Sequence, residues 1–94
     1  MSLDEYRHPK AETVGLQKLF LKGALSGFTW YNSYNVKINH GKPAFCQPNK
    51  LVITVDQAES IMFHWSDQQK INDKDYPVTM ALLYSLVDTF PCSR

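Results

Sequence analysis

The chain has 94 residues, enough for one domain and too few for two, so its core is small for the surface it must support. Apolar residues make up 44% and charged residues 20%, which excludes an intrinsically disordered chain. The net charge of +1 comes from dispersed lysines and arginines, which excludes the basic patch that nucleic-acid binding needs, and no stretch approaches the ~20 apolar residues of a membrane span.

Residues 1–10 are polar and include Pro9, so they are expected to form a loosely held tail, with the folded domain over residues 11–94. No basic-then-apolar leader opens the sequence, and Met1-Ser2-Leu3 reads as a short expression scar standing where one was removed.

The spacing predicts a first long helix from about Ala11 to Asn35. Val14, Leu16, Leu19, Phe20, Gly23, Ala24, Gly27, Phe28 and Tyr31 recur every three or four residues, which assigns them to one broad face. Gly23 and Gly27 share that face, although a glycine inside a helix costs up to about 1 kcal/mol against alanine. Close approach of another helix backbone, within the fold or across a dimer, would compensate. Lys18 and Lys22 exclude the lipid-embedded form of such pairing. The aromatic residues Phe28, Trp30, Tyr31 and Tyr34 at the end of this helix read as core plus a half-exposed rim, with a ligand-stacking site as the alternative.

Asn39-His40-Gly41-Lys42-Pro43 is turn chemistry, and Pro48-Asn49 marks a second break. Leu51-Val52-Ile53 is too short to anchor a sheet and reads as an extended lead-in to the next helix. Thr54-Val55-Asp56-Gln57 then fits a capping box, in which hydroxyl and amide side chains each satisfy the other residue's backbone N–H. The apolar stripe Val55, Ala58, Ile61, Met62 and Trp65 follows, ending near Gln68 or Gln69. From Ser66 to Tyr76 the chain is polar apart from Ile71 and reads as the most exposed interior loop. Pro77 suits the first turn of a last helix, nearly apolar all round, which Pro91 ends. These elements imply an all-α, single-domain helical bundle.

Cys46 and Cys92 are the only cysteines. They are bonded to each other, both free and structural, or one is reactive. Their positions beside proline at element boundaries, in Phe45-Cys46-Gln47-Pro48 and Phe90-Pro91-Cys92, favour the bond, which would staple the bundle and imply an extracytoplasmic site. His8, His40 and His64 are dispersed and no Cys-x-x-Cys or His-x-x-x-His occurs, so no metal or other cofactor is expected. A carboxylate pair for acid–base chemistry would have to come from Asp56, Glu59, Asp67, Asp73 and Asp75, each of which capping or solvation also explains. A binding protein rather than an enzyme is the expectation.

Three features in order, Phe45-Cys46-x-Pro48, the capped helix from Thr54-x-Asp56-Gln57, and the terminal helix closing at Phe90-Pro91-Cys92, resemble the Rap/Tai group of immunity proteins, over about Gly15 to Cys92. Those proteins protect bacteria from peptidoglycan-cleaving amidase effectors delivered by type VI secretion. The resemblance implies an all-helical periplasmic protein, often a homodimer, that occludes the amidase with a projecting loop. Cys46 and Cys92 match the family's cysteines. Asp67, Gln68, Lys70, Asn72, Asp73, Lys74 and Asp75 are the positional candidates for occlusion, and Gly23 and Gly27 for helix packing. The other readings are a periplasmic structural or chaperone-like protein without a toxin partner, and a thiol-dependent enzyme, which needs a free cysteine.

Overall fold

In a computed structural model, which describes residues 1–48 and 52–92, four helices carry the fold: α1 (Leu3–Arg7), α2 (Val14–Lys37), α3 (Val55–Gln69) and α4 (Val78–Thr89). No β-strand occurs among the described residues, and Cys46 is bonded to Cys92, so the fold is the expected all-helical bundle with one disulfide staple. Asn49 and Leu51, which belonged to the second break and to the lead-in, lie outside the described residues. Of that lead-in, Ile53 is buried and Val52 exposed.

Helix α3 begins where its sequence says it should. The Thr54 hydroxyl accepts from the Gln57 backbone N–H at 3.1 Å, and the Gln57 side chain accepts from the Thr54 N–H at 2.9 Å. The helix ends because Lys70 turns left-handed, at φ 54°, in the position glycine usually fills. Its stripe of Ala58, Met62 and Trp65 packs on Ala81, Leu82 and Leu86 of α4, and this α3–α4 pair is the centre of the core. Helix α2 lies against both, contributing Leu21 and Leu25.

The first residues are not the loose tail expected of them. Ser2 and Glu5 form a second capping box, with the Ser2 hydroxyl accepting from the Glu5 N–H at 3.2 Å. Leu3 is fully buried and Tyr6 nearly so. The backbone is tied down as well: Leu3 N–H donates to the Tyr76 carbonyl at 2.8 Å, Asp4 N–H to the Asp73 carbonyl at 3.0 Å, and Val78 N–H to the Met1 carbonyl at 3.0 Å. The last of these satisfies an N-terminal donor of α4, which Pro77 cannot cap with a side chain. Polarity outside Leu3 and Tyr6 concealed a short segment that two buried side chains suffice to dock.

Helix α2 also departs from the expected single face. Leu21, Leu25 and the half-buried Ala24 and Phe28 point to the core, whereas Leu16, Leu19, Phe20, Gly23, Gly27 and Tyr31 point outward. Of the terminal aromatic group, Phe28 packs against the core and Tyr34 is half-exposed, as the core-and-rim reading expects, whereas Tyr31 and Trp30 are mostly exposed. No other part of the described chain packs on the glycines: a methyl group added at Gly23 or Gly27 would meet no atom within 4 Å. Close helix packing at the glycines within the fold is therefore excluded among the described residues.

After α2 the chain reverses and runs back along it. Asn32 holds this return at both faces of its amide, donating to the Phe45 carbonyl at 2.7 Å and accepting from the Ala44 N–H at 2.9 Å. Asn35 donates to the Lys42 carbonyl at 2.8 Å, and its side chain lies so near Gly41 that any Cβ there would overlap it. Cys46 N–H donates to the Phe90 carbonyl at 2.8 Å, which brings Cys46 beside Cys92.

Candidate interaction surface

The predicted loop is shorter and better anchored than its composition suggests. Ser66 is buried within α3, where its hydroxyl bonds the Phe63 carbonyl, and the helix continues to Gln69. Asp67 and Gln68 thus project from the last turns of a helix, and Lys70, Asn72, Asp73, Lys74 and Asp75 from the connection that follows. Arg7 organises this corner. One guanidinium nitrogen donates to the Ser66 hydroxyl at 2.6 Å and to Asp67 Oδ1 at 2.9 Å, and Nε lies 2.8 Å from Asp73 Oδ2. The same guanidinium stacks over the Phe63 ring, 4.6 Å from its centroid. Within the connection, the Asn72 amide donates to Asp75 Oδ2 at 2.8 Å and accepts from the Lys74 N–H at 3.1 Å. Gln68, Lys70 and Lys74 remain exposed on the outer side of this corner.

The remaining carboxylates considered for chemistry are also engaged in holding helices together. Glu59 accepts from the Tyr6 hydroxyl at 2.5 Å and from the Lys18 ammonium at 3.0 Å, and Asp56 lies 3.2 Å from the same ammonium. Burial, reinforced by the hydrogen bond to Glu59 and its negative charge, holds the Tyr6 phenol well above its ordinary range. The hydrogen bonds to Glu59 and then Asp56 raise the Lys18 ammonium. At the other end of α3, Trp65 lies between Tyr76 and Tyr84, and its indole N–H donates to Asp88 at 2.6 Å. Among the described residues, no group of three or more His, Cys, Asp and Glu side chains is gathered to hold a metal.

One broad concavity is apolar. An open groove of about 810 Å³ runs between α2 and α4, floored by Gly23, Ala24 and Gly27 and walled by Phe20, Tyr31 and Leu83. It adjoins the outward face of α2, where Leu16, Leu19 and Trp30 are each about two-thirds or more exposed. Sequence periodicity placed most of these residues on one broad face without showing that the face turns outward. The missed signal was Leu21 and Leu25 on the opposite side, which shows that α2 is apolar on two faces.

The chain matches no protein-family model, no curated protein and no solved structure. No helix among the described residues is long and apolar enough to cross a membrane. What the geometry defines is a small disulfide-stapled helical protein with an anchored polar corner at one place and a broad apolar face at another.

Proposed function

We propose that this protein is a periplasmic immunity protein, which binds a type VI secreted peptidoglycan amidase and blocks its active site. The observation that carries the reading is the Cys46–Cys92 bond, because it joins the first and the last of the three motifs on which the family resemblance rests. The bond also suits a compartment outside the reducing cytosol, and neither cysteine is then a free thiol for catalysis. Binding rather than catalysis fits the carboxylates as well, since Asp56 and Glu59 hold Lys18 while Asp67 and Asp73 hold Arg7. Self-association into a homodimer belongs to the same reading.

In this reading the corner from Asp67 to Asp75 enters the amidase cleft. A loop held by Arg7 is pre-ordered, which lowers the entropy lost on docking. Asp73 is a poor probe of that role, because replacing it also releases Arg7. Lys70 and Lys74 are better ones. The native protein, mixed with the amidase at saturation, is expected to stop peptidoglycan hydrolysis, and undiminished hydrolysis removes the proposal. Replacing Lys70 and Lys74 with glutamate should weaken inhibition by about tenfold or more, as loss of interface charges does, with an unchanged helical circular dichroism spectrum.

The open apolar face of α2 gives the chaperone-like alternative one supporting observation. Suppression of client aggregation at stoichiometric amounts, without amidase binding, would favour it.

A further inference from the structure

The outward face of α2 is too apolar to be left in water. Leu16, Leu19, Phe20, Trp30, Tyr31 and Tyr34 are between 43% and 73% exposed. At ~150–250 Å² for each large side chain, they leave roughly 700 Å² open. That exceeds the ~300–600 Å² of the largest apolar patch on a typical monomer. It approaches the ~800 Å² that each partner contributes to a stable protein pair.

The order of residues along this face says what covers it. Its apolar and glycine positions are 16, 19, 20 and 23, then 27, 30, 31 and 34, two sets that mirror each other about residue 25. Leaving aside the glycine in each, the first set is aliphatic apart from Phe20, and the second is aromatic. A two-fold axis passing beside residue 25 therefore lays each aliphatic end on the aromatic end of an identical helix. At ~100° per residue, Leu19 and Trp30 fall on one flank of the face, and Phe20 and Tyr31 on the other. The axis then sets Leu19 against Trp30, Phe20 against Tyr31 and Leu16 against Tyr34, with Gly23 against Gly27 at the crossing.

Glycine at the crossing lets the two backbones come close, and the space above it is open. Charge agrees with the same register. Helix α2 carries no acidic residue; Glu12, just before it, and Lys37, at its end, are exposed and lie within one residue of mirror positions about the same point.

We infer that the outward face of α2 is a homodimer interface, in which two α2 helices cross antiparallel at Gly23 and Gly27 and Glu12 of each copy meets Lys37 of the other. This deepens the self-association part of the proposed function and does not depend on the amidase.

The test is the mass in solution of the purified full chain alone, by light scattering and sedimentation. The native chain is expected at twice its 10.8 kDa. A Cβ at Gly23 or Gly27 enters open space, so Gly23→Gln combined with Gly27→Gln should fold, keep its helical spectrum and raise the dimer dissociation constant by about 100-fold or more, the equivalent of about 3 kcal/mol. Glu12→Lys and Lys37→Glu should each weaken the dimer by about three- to tenfold, and the double swap should restore it. In one chain the 24 residues of α2 alone hold them ~35 Å apart, so restoration can arise only between copies.

A native chain that stays at 10.8 kDa up to millimolar concentration overturns the inference. So does a double-glutamine variant that dimerises as before, or a charge swap that fails to restore. Sedimentation of a monomeric native chain with phosphatidylglycerol vesicles would assign the face to a lipid surface instead. A monomeric native chain whose double-glutamine variant loses amidase binding would assign it to the amidase. Because no amidase enters the mass measurement, failure of the dimer leaves the inhibition reading standing, and the reverse holds too.

Discussion

Arg7 makes contacts that no lysine reproduces. Its planar fork reaches Ser66, Asp67 and Asp73 while its face covers Phe63. Arg7→Ala should lower stability to urea by about 2 kcal/mol, since it leaves the buried Ser66 hydroxyl without its donor and the half-buried Asp73 carboxylate without its cation. Arg7→Lys should recover only part of that loss.

Tyr6 gives a pH signature. Its phenol is harder to ionise in the folded chain than in the unfolded one, so its contribution is complete below the unfolded value near pH 10 and declines as pH rises beyond it. Alkaline unfolding should therefore steepen above about pH 10. Tyr6→Phe should remove that part of the slope while lowering stability at neutral pH by about 1–2 kcal/mol, through loss of the bond to Glu59. Parallel urea titrations at neutral and alkaline pH check both effects. None of these partners was legible in the sequence, because Tyr6 and Glu59, or Arg7 and Asp67, are brought together only by tertiary folding.

At the scale of elements, legibility followed the strength of local chemistry. Helix α3 was readable at both ends, because Thr54 and Gln57 satisfy each other within one turn and the Ala58, Met62 and Trp65 stripe has one apolar side. Helix α2 was readable as a helix but not as to which side faces in. Periodicity identifies an apolar face only when the opposite side is polar, and Leu21 and Leu25 compete here with Leu16, Phe20 and Gly23. Short α1 was missed, although Ser2-Leu3-Asp4-Glu5 is itself a capping box, because five residues carry too little periodic signal. Lys70 offers a test of helix ending. Its left-handed backbone is strained for a residue with a Cβ, so Lys70→Gly should raise the melting temperature, by about 1 kcal/mol of stability.

At the scale of the whole molecule, the sequence disclosed the staple, because both cysteines sit at element boundaries, but not the clasp of the first residues onto the start of α4. The bond spans a separation of 46 residues, for which the chain-entropy account gives about 4 kcal/mol. In a domain this small that is a large share of total stability. Replacing Cys46 and Cys92 together with serine, or reducing the native chain, should lower the urea midpoint accordingly, with the helical spectrum retained only at low denaturant.

The location of the staple also governs what happens to a damaged molecule. Lys70 and Lys74 stand exposed between Cys46 and Cys92. A protease that cuts after either lysine severs the backbone, yet the piece carrying α1, α2 and α3 stays tethered through sulfur to the piece carrying α4. Such nicked material would travel as a single band on a non-reducing gel and fall into two fragments only once a thiol is added.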